Sequence, residues 1–227
     1  MNESRKIQDD ITSLSKYLTD NNINSEIIIS DDGSTDDTID VASETSIDES
    51  IPLSVISDGD HLGKGHAVRR GILQSNGDVI MFIDSGNTVQ LDAISLGLSL
   101  IQSGECQMVI GSRHLSGSVI TKPLVFQRRI VSKLFRIFIK LFFPSMWKIT
   151  DTQCGFKLYN GTLARELYSK SIIDGFLFDI EILKMATKKQ YSIQEIPIEW
   201  TCDRDSRLTI FSTIWEVFRD SFKLKMN

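Results

Sequence analysis

Four short apolar runs, each stopped by a carboxylate, a glycine or an arginine, constrain this 227-residue chain more than any other feature. They are Ser25 to Ser30, Leu53 to Ser57, Asp78 to Ile83 and Gln107 to Ile110. Runs this brief, rich in Ile and Val and bounded by turn formers, make strands rather than helices. The segments between them have helical periodicity. Ile7, Ile11, Leu14 and Leu18 lie on one helix face, Ser34 or Thr35 is placed to cap a helix running through Ala42, Gly63-Lys64-Gly65 opens a helix reaching about Ser75, and Leu91 to Gln102 reads as another. Further on, helices are expected near Gly161 to Lys170 and from Phe178 to Lys188, with a strand at Ser192 to Trp200. This alternation predicts an α/β domain with a mostly parallel sheet flanked by helices.

No repeat, low-complexity tract or linker divides the chain, so 1–227 reads as one domain. With 41% hydrophobic and 24% charged residues it has the composition of a globular protein with a sizeable core. Cys106, Cys154 and Cys202 are few, scattered and odd in number, which excludes a disulfide framework and a zinc pattern and favours a reducing compartment. Met1 to Asp10 carries no signal-peptide core.

Charge is strongly segregated. Between Cys106 and Thr150 there is no Asp or Glu, but there are Arg113, Lys122, Arg128, Arg129, Lys133, Arg136, Lys140 and Lys148, in a chain of net charge -5. A basic block in an acidic protein faces an anionic partner. Within it, 124–143 is apolar apart from a few polar positions, and Arg129, Lys133, Arg136 and Lys140 recur at helical spacing. The cations oppose a membrane span, because each costs roughly 2.5 to 3.5 kcal/mol at the bilayer centre. Two readings remain: a helix lying in the headgroup plane, or a core helix whose Lys and Arg snorkel. Interleaved Phe, Leu and Ile suit lipid better than nucleic acid.

In open α/β sheets, ligands gather outside the carboxyl ends of the strands. Asp31-Asp32, Asp84 and Arg113 stand there, with Lys64 at a helix entry; carboxylates hold ribose, base or metal, and cations balance phosphate. Each has a plainer reading. Asp-Gly-Ser is a common turn, Gly63-Lys64-Gly65 lacks phosphate-loop spacing, Asp84 could cap a helix, Arg113 could pair with a carboxylate, and Asp179 and Glu181 could serve a helix dipole.

Taken in order, Glu26 to Thr38 (EIIISDDGSTDDT), Gly63 to Gly71 (GKGHAVRRG) and Val79 to Asp84 (VIMFID) resemble the nucleotide-sugar half of family 2 glycosyltransferases of the GT-A fold. Gly111-Ser-Arg113, Asp151 to Lys157 (DTQCGFK), Phe178-Asp-Ile-Glu181, Glu199-Trp-Thr201 and Ser206-Arg-Leu208 are similar to dolichyl-phosphate β-glucosyltransferases and their polyprenyl-phosphate relatives. The resemblance implies a nucleotide-sugar half at 1–112 and an acceptor half at 113–227. It implies that Glu3, Asp31, Asp32 and Lys64 serve the nucleotide sugar, with Asp32 on the uracil. Asp84 would be the first carboxylate of an Asp-x-Asp motif holding Mg²⁺ or Mn²⁺. Arg113, Arg128 and Arg129 would hold the acceptor phosphate, with Gln153 and Lys157 beside them, and Asp151 and Asp179 would join Asp84 and Arg113 in catalysis.

The implied activity is inverting transfer of a hexose, glucose from UDP-glucose, to a polyprenyl or dolichyl phosphate, by a protein bound peripherally to the cytoplasmic face of a membrane. A soluble or polysaccharide acceptor, or a catalytically impaired nucleotide binder, are the alternatives. Two departures from the family pattern bear on this. The family's first strand is expected to be missing, since the chain starts inside the motif that follows it, and Asp84-Ser85-Gly86 carries glycine where relatives carry the second Asp.

Overall fold

The structure, a computed structural model, describes residues 1–123, 125–202 and 210–226. In chain order the elements are α1 (Ile7–Asp20), β1 (Ile27–Asp31), α2 (Thr38–Glu44), β2 (Leu53–Ser57), α3 (Lys64–Gln74), β3 (Val79–Ile83), α4 (Ala93–Gln102) and β4 (Met108–Ser112). There follow β5 (Val119–Lys122), α5 (Phe126–Phe142), β6 (Phe156–Asn160), α6 (Gly161–Tyr168), α7 (Phe178–Lys188), β7 (Ile193–Pro197), β8 (Glu199–Thr201) and α8 (Ile210–Met226). Ser206-Arg-Leu208 and Leu124 lie outside the described residues.

The central sheet has the order β3-β6-β4-β7. β4 and β7 are parallel, as are β1 with β2 and β5 with β8, whereas β6 runs antiparallel to both β3 and β4. The reversed strand decides where the site forms. Because Phe156 pairs with Ile83, the segment just before β6 lies at the carboxyl ends of β3 and β4, and Asp151 to Gly155 joins Asp84 and Arg113 there. Among the described residues β1 bonds only to β2 and β3 only to β6.

Every residue of β4 is buried, and so are the first four of β6. Met108, Ile110 and Tyr159 face one apolar cluster with α6 and α7, while Val109, Phe156 and Leu158 face another with α4. Burying each large apolar side chain contributes about 1.5–3 kcal/mol. β1 and β2 cover a smaller cluster under α1 and α2, where Ile7, Ile11 and Ala42 are buried.

Three details depart from the sequence reading. The α2 cap position falls at Asp37, because the Ser34 hydroxyl is spent on Asp31 and the Thr35 hydroxyl is turned to the Asn2 side-chain amide, from which it accepts at 3.4 Å. The expected strand at Ser192 to Trp200 is two strands, divided after Pro197, which has no N–H to continue a ladder. β5, β6 and α8 emerge without having been expected.

Candidate functional site

The turn after β1 is built around a buried carboxylate. Asp31 accepts hydrogen bonds from the Ser34 backbone N–H at 2.8 Å, the Ser34 hydroxyl, and the Ser57 hydroxyl at 3.1 Å. Burial alone pushes the Asp31 carboxyl up, but those donors outweigh it and hold the group below the usual 3.8. Asp32 points the other way, its Oδ1 accepting from the backbone N–H groups of Leu62 at 2.9 Å and Gly63 at 2.8 Å, its Oδ2 2.9 Å from the His61 ring. Glu3 sits beside the same turn, its backbone N–H donating to the Thr38 hydroxyl at 2.7 Å. Arg70 ties the two strand ends together, donating to the carbonyls of Asp31 at 2.6 Å and Ile56 at 3.0 Å.

Lys64 begins α3, and glycines on either side make its position possible. Gly63 has φ +114, and a Cβ on Gly65 would lie 2.5 Å from the Ile173 carbonyl oxygen, so only glycine lets the helix start this close to the 173–175 loop. The Lys64 ammonium lies 2.7 Å from Asp84 Oδ1 and over the rings of Phe82 and Phe178 at 5.4 and 6.0 Å. Gly155 takes the opposite side of Asp84. A Cβ there would fall 1.9 Å from Asp84 Oδ2, while the Gly155 carbonyl accepts from the Asp84 N–H at 2.8 Å.

The acceptor-side residues form two ion pairs. Arg113 grips Asp151 with two donors, Nε at 2.6 Å and a terminal nitrogen at 2.8 Å, and lies 5.1 Å from the centre of the Trp200 ring. Burial would raise the Asp151 carboxyl, but the Arg113 hydrogen bonds and charge bring it below 3.8. Glu195 fixes the preceding backbone, accepting from the N–H groups of Thr150 and Asp151.

Lys157 departs from its expected place among the acceptor-phosphate ligands. Its side chain is 1% exposed, its ammonium 2.7 Å from Asp179 and 2.5 Å from the Cys154 carbonyl oxygen. Alternation along β6 puts it on the same buried face as Tyr159, where only a paired charge is tolerated. Burial pushes the Asp179 carboxyl up, against the opposing charges of Lys157 and Lys64. Gln153 donates to the Phe176 carbonyl at 3.4 Å, and Glu181 accepts from the N–H groups of Ile172 and Ile173. Burial also pushes the Cys154 thiol up to about 12, which makes it a packing group rather than a nucleophile.

Arg128 and Arg129 lie on the first turn of α5. Phe135, Phe138 and Ile139 pack this helix inward. Its outward face carries Phe126, Ile130, Leu134, Ile137 and Leu141, with Phe126 74% and Leu141 71% exposed. Arg129, Lys133, Arg136 and Lys140 follow that apolar stripe along one edge. One face of the helix thus packs on the core and the other leaves its apolar side chains exposed. No helix among the described residues is long and apolar enough to cross a membrane.

The donor set at Asp84 does not fit a divalent metal held by the protein alone. Asp84 is a single carboxylate already paired with an ammonium, and Gly86 offers no side chain. The Ser85 hydroxyl and the Gly86 N–H both donate to Asp10 of α1, at 2.8 and 2.7 Å, and no cluster of three or more metal-ligating side chains occurs among the described residues. Sequence reasoning missed Asp10 and Glu195, and met Trp200 only as part of the Glu199-Trp-Thr201 motif, with no role. Asp10 and Glu195 act across elements distant in sequence, so no local signal marks them.

The profile of glycosyl transferase family 2 covers residues 1–168. The chain belongs to this family. A dolichyl-phosphate beta-glucosyltransferase of Dictyostelium discoideum is 33% identical over 207 residues, 88% of this chain and 62% of that protein. The human protein of that name is 30% identical over 208 residues, 88% of this chain and 63% of that protein. The chain thus spans less than two thirds of the length of these curated relatives. Its fold is that of a glucosyl-3-phosphoglycerate synthase from Mycobacterium tuberculosis, solved with Mn²⁺, UDP and glucosyl-3-phosphoglycerate. The TM-score is 0.70 and the identity 19%, over 100% of this chain and 76% of that one. The family 2 domain therefore has the GT-A architecture.

Proposed function

We propose that this family 2 domain catalyses inverting transfer of a hexose, glucose from UDP-glucose, to a polyprenyl or dolichyl phosphate at the cytoplasmic face of a membrane. One observation carries the reading. The acceptor half of the domain presents an exposed apolar stripe with a row of cations along its edge, the pairing that an anionic lipid substrate and its bilayer demand. The names of the curated relatives, which pair glucose with dolichyl phosphate, point the same way.

The chemistry is economical. A lipid phosphate is already an anionic nucleophile, so no strong general base is needed. A phosphate oxygen forms the new bond to the anomeric carbon from the face opposite the departing UDP, whose bond to that carbon breaks with inversion. The protein's work is to align two anions and offset their repulsion. In this reading Glu3 and Asp32 serve the nucleoside and Asp31 shapes the turn that presents it. Lys64, resting on Asp84, faces the diphosphate. Arg113, oriented by Asp151, joins Arg128, Arg129 and Gln153 toward the acceptor phosphate. Asp179, paired with Lys157, holds the floor beneath Lys64.

The test is UDP release by the full chain across a panel of UDP- and GDP-sugars, with and without a short polyprenyl phosphate. Release that needs both UDP-glucose and the lipid is expected; release with a soluble acceptor alone overturns the acceptor. The Lys64–Asp84 pair and Gly86 favour a second reading, a nucleotide binder without turnover. Binding of UDP-glucose with no release under any condition would select it.

A further inference from the structure

α8 carries no motif that the site uses, yet it repeats the surface design of α5. Its buried side is Val217, Asp220, Ser221 and Leu224, and its outer side is Trp215, Phe218, Phe222 and Met226, spaced three, four and four residues apart on one helix face. Trp215 is 76% and Met226 83% exposed. Both acidic residues of the described part are turned to the protein, Asp220 buried and Glu216 accepting from the Phe176 N–H at 3.1 Å. The cations Arg219, Lys223 and Lys225 are exposed, Arg219 paired with Asp220 at 2.9 Å and Lys223 donating to the Ile172 carbonyl at 3.0 Å.

The two helices lie together. Phe138 and Phe142 of α5 meet Phe218 and Phe222 of α8 at ring-centre distances of 5.4 and 5.7 Å, and the Lys225 ammonium sits 4.7 Å from the Phe142 ring centre. Trp147, 62% exposed, is anchored just beyond α5 by its indole N–H on the Lys140 carbonyl at 2.7 Å. Two exposed apolar stripes, each bordered by cations with the acids withdrawn, make a surface far more apolar than water favours and of one charge sign at its rim. Both helices also hold the loop beside the site. Phe135 of α5 packs on Phe176 at 6.2 Å and Glu216 of α8 bonds its backbone, while Gln153 donates to its carbonyl.

We infer that α8 and α5 together form one docking platform for an anionic bilayer surface, with Trp147 and Trp215 at the headgroup level, and that the Phe176 loop fixes this platform beside the acceptor half of the site. The occupant is a bilayer rather than a protein, because the exposed charges bordering the platform, Arg129, Lys133 and Lys225 among them, are cationic while the centre is aliphatic and aromatic. The inference takes its partner class from the proposed lipid acceptor but concerns docking alone, so it is tested without substrate.

The experiment is co-sedimentation of the full chain with vesicles of phosphatidylcholine alone and with vesicles of roughly three parts phosphatidylcholine to one part phosphatidylserine. Tryptophan fluorescence is read against brominated lipid in parallel. The chain is expected to partition onto the anionic vesicles, with quenching, and to be released by salt. Trp215→Ser with Met226→Ser, neither of them among the residues assigned to donor or acceptor, is expected to weaken partitioning about ten-fold or more, since together they remove apolar surface worth roughly 1.4 kcal/mol or above. UDP binding measured on the same variant shows that it is folded. Leu134→Ser with Leu141→Ser is expected to act similarly. Equal binding to neutral and anionic vesicles, no binding to either, or an α8 variant that partitions like the unaltered chain would overturn the inference. Loss of vesicle binding with glucosyl transfer to a detergent-solubilised lipid intact would leave the proposed function standing.

Discussion

The Lys157–Asp179 pair offers the sharpest test of how the site is supported. Lys157 is the most deeply buried cation among the described residues, and its ammonium has two partners, Asp179 at 2.7 Å and the Cys154 carbonyl at 2.5 Å. Lys157→Met keeps the volume and removes the charge, leaving Asp179 with only the more distant Lys64 for compensation. Breaking a buried pair from one side costs about 3–5 kcal/mol, and the residual field of Lys64 argues for the lower end, about 3 kcal/mol. With a urea slope of roughly 2–3 kcal/mol per molar, the unfolding midpoint should fall by about 1–1.5 M. Asp179→Asn should cost a similar amount, because it strands the ammonium. The double variant Lys157→Met with Asp179→Asn should recover at least half of the summed loss, since neither charge is then buried alone. The assay is urea denaturation followed by circular dichroism for the three variants. Single variants within 1 kcal/mol of the unaltered chain, or a double variant as damaged as the sum, would refute the reasoning.

Further outcomes follow from other contacts. Gly155→Ala places a methyl against Asp84, so UDP-glucose turnover should fall at least ten-fold while the unfolding midpoint moves far less; equal activity would show that Asp84 has no fixed position. Titration of Mn²⁺ into the chain without nucleotide should give no calorimetric binding in the micromolar range, because one carboxylate paired with Lys64 is a poor donor set. Asp31 and Asp151 are both held below the ordinary 3.8 in the folded state, so they add stability that is complete above that value and lost as pH falls through their folded values. Urea midpoints should therefore drop below about pH 4, and Asp151→Asn should flatten that drop. A drop of undiminished size would assign it to other groups.

The helices α3 and α7 and the strands β1, β2 and β3 lie within a residue or two of their sequence-derived limits, because each has its own periodicity and stop signal. β6 was invisible for the opposite reason. Phe156-Lys-Leu-Tyr-Asn carries a lysine at a core position, and alternation alone cannot reveal that a carboxylate on another element neutralises it. The candidate residues were legible as charges at strand ends. Their pairing was not, since Arg113 with Asp151, and Lys64 with Asp84, are joined across long stretches of chain. The same holds for Asp10, which receives Ser85 and Gly86 from across the fold.

By itself the sequence determined the α/β alternation, the ordered family 2 motifs and the segregation of cations into one stretch, because these are properties of local spacing and composition. Only the tertiary structure decided that β6 runs backwards between β3 and β4 and so delivers Asp151 to Gly155 to the site, that Lys157 is a buried counter-ion, and that α8 lies beside α5. Those outcomes depend on strand direction and on which charges and rings meet in space, and the energy of such contacts is set by distance and burial that no single stretch of chain contains.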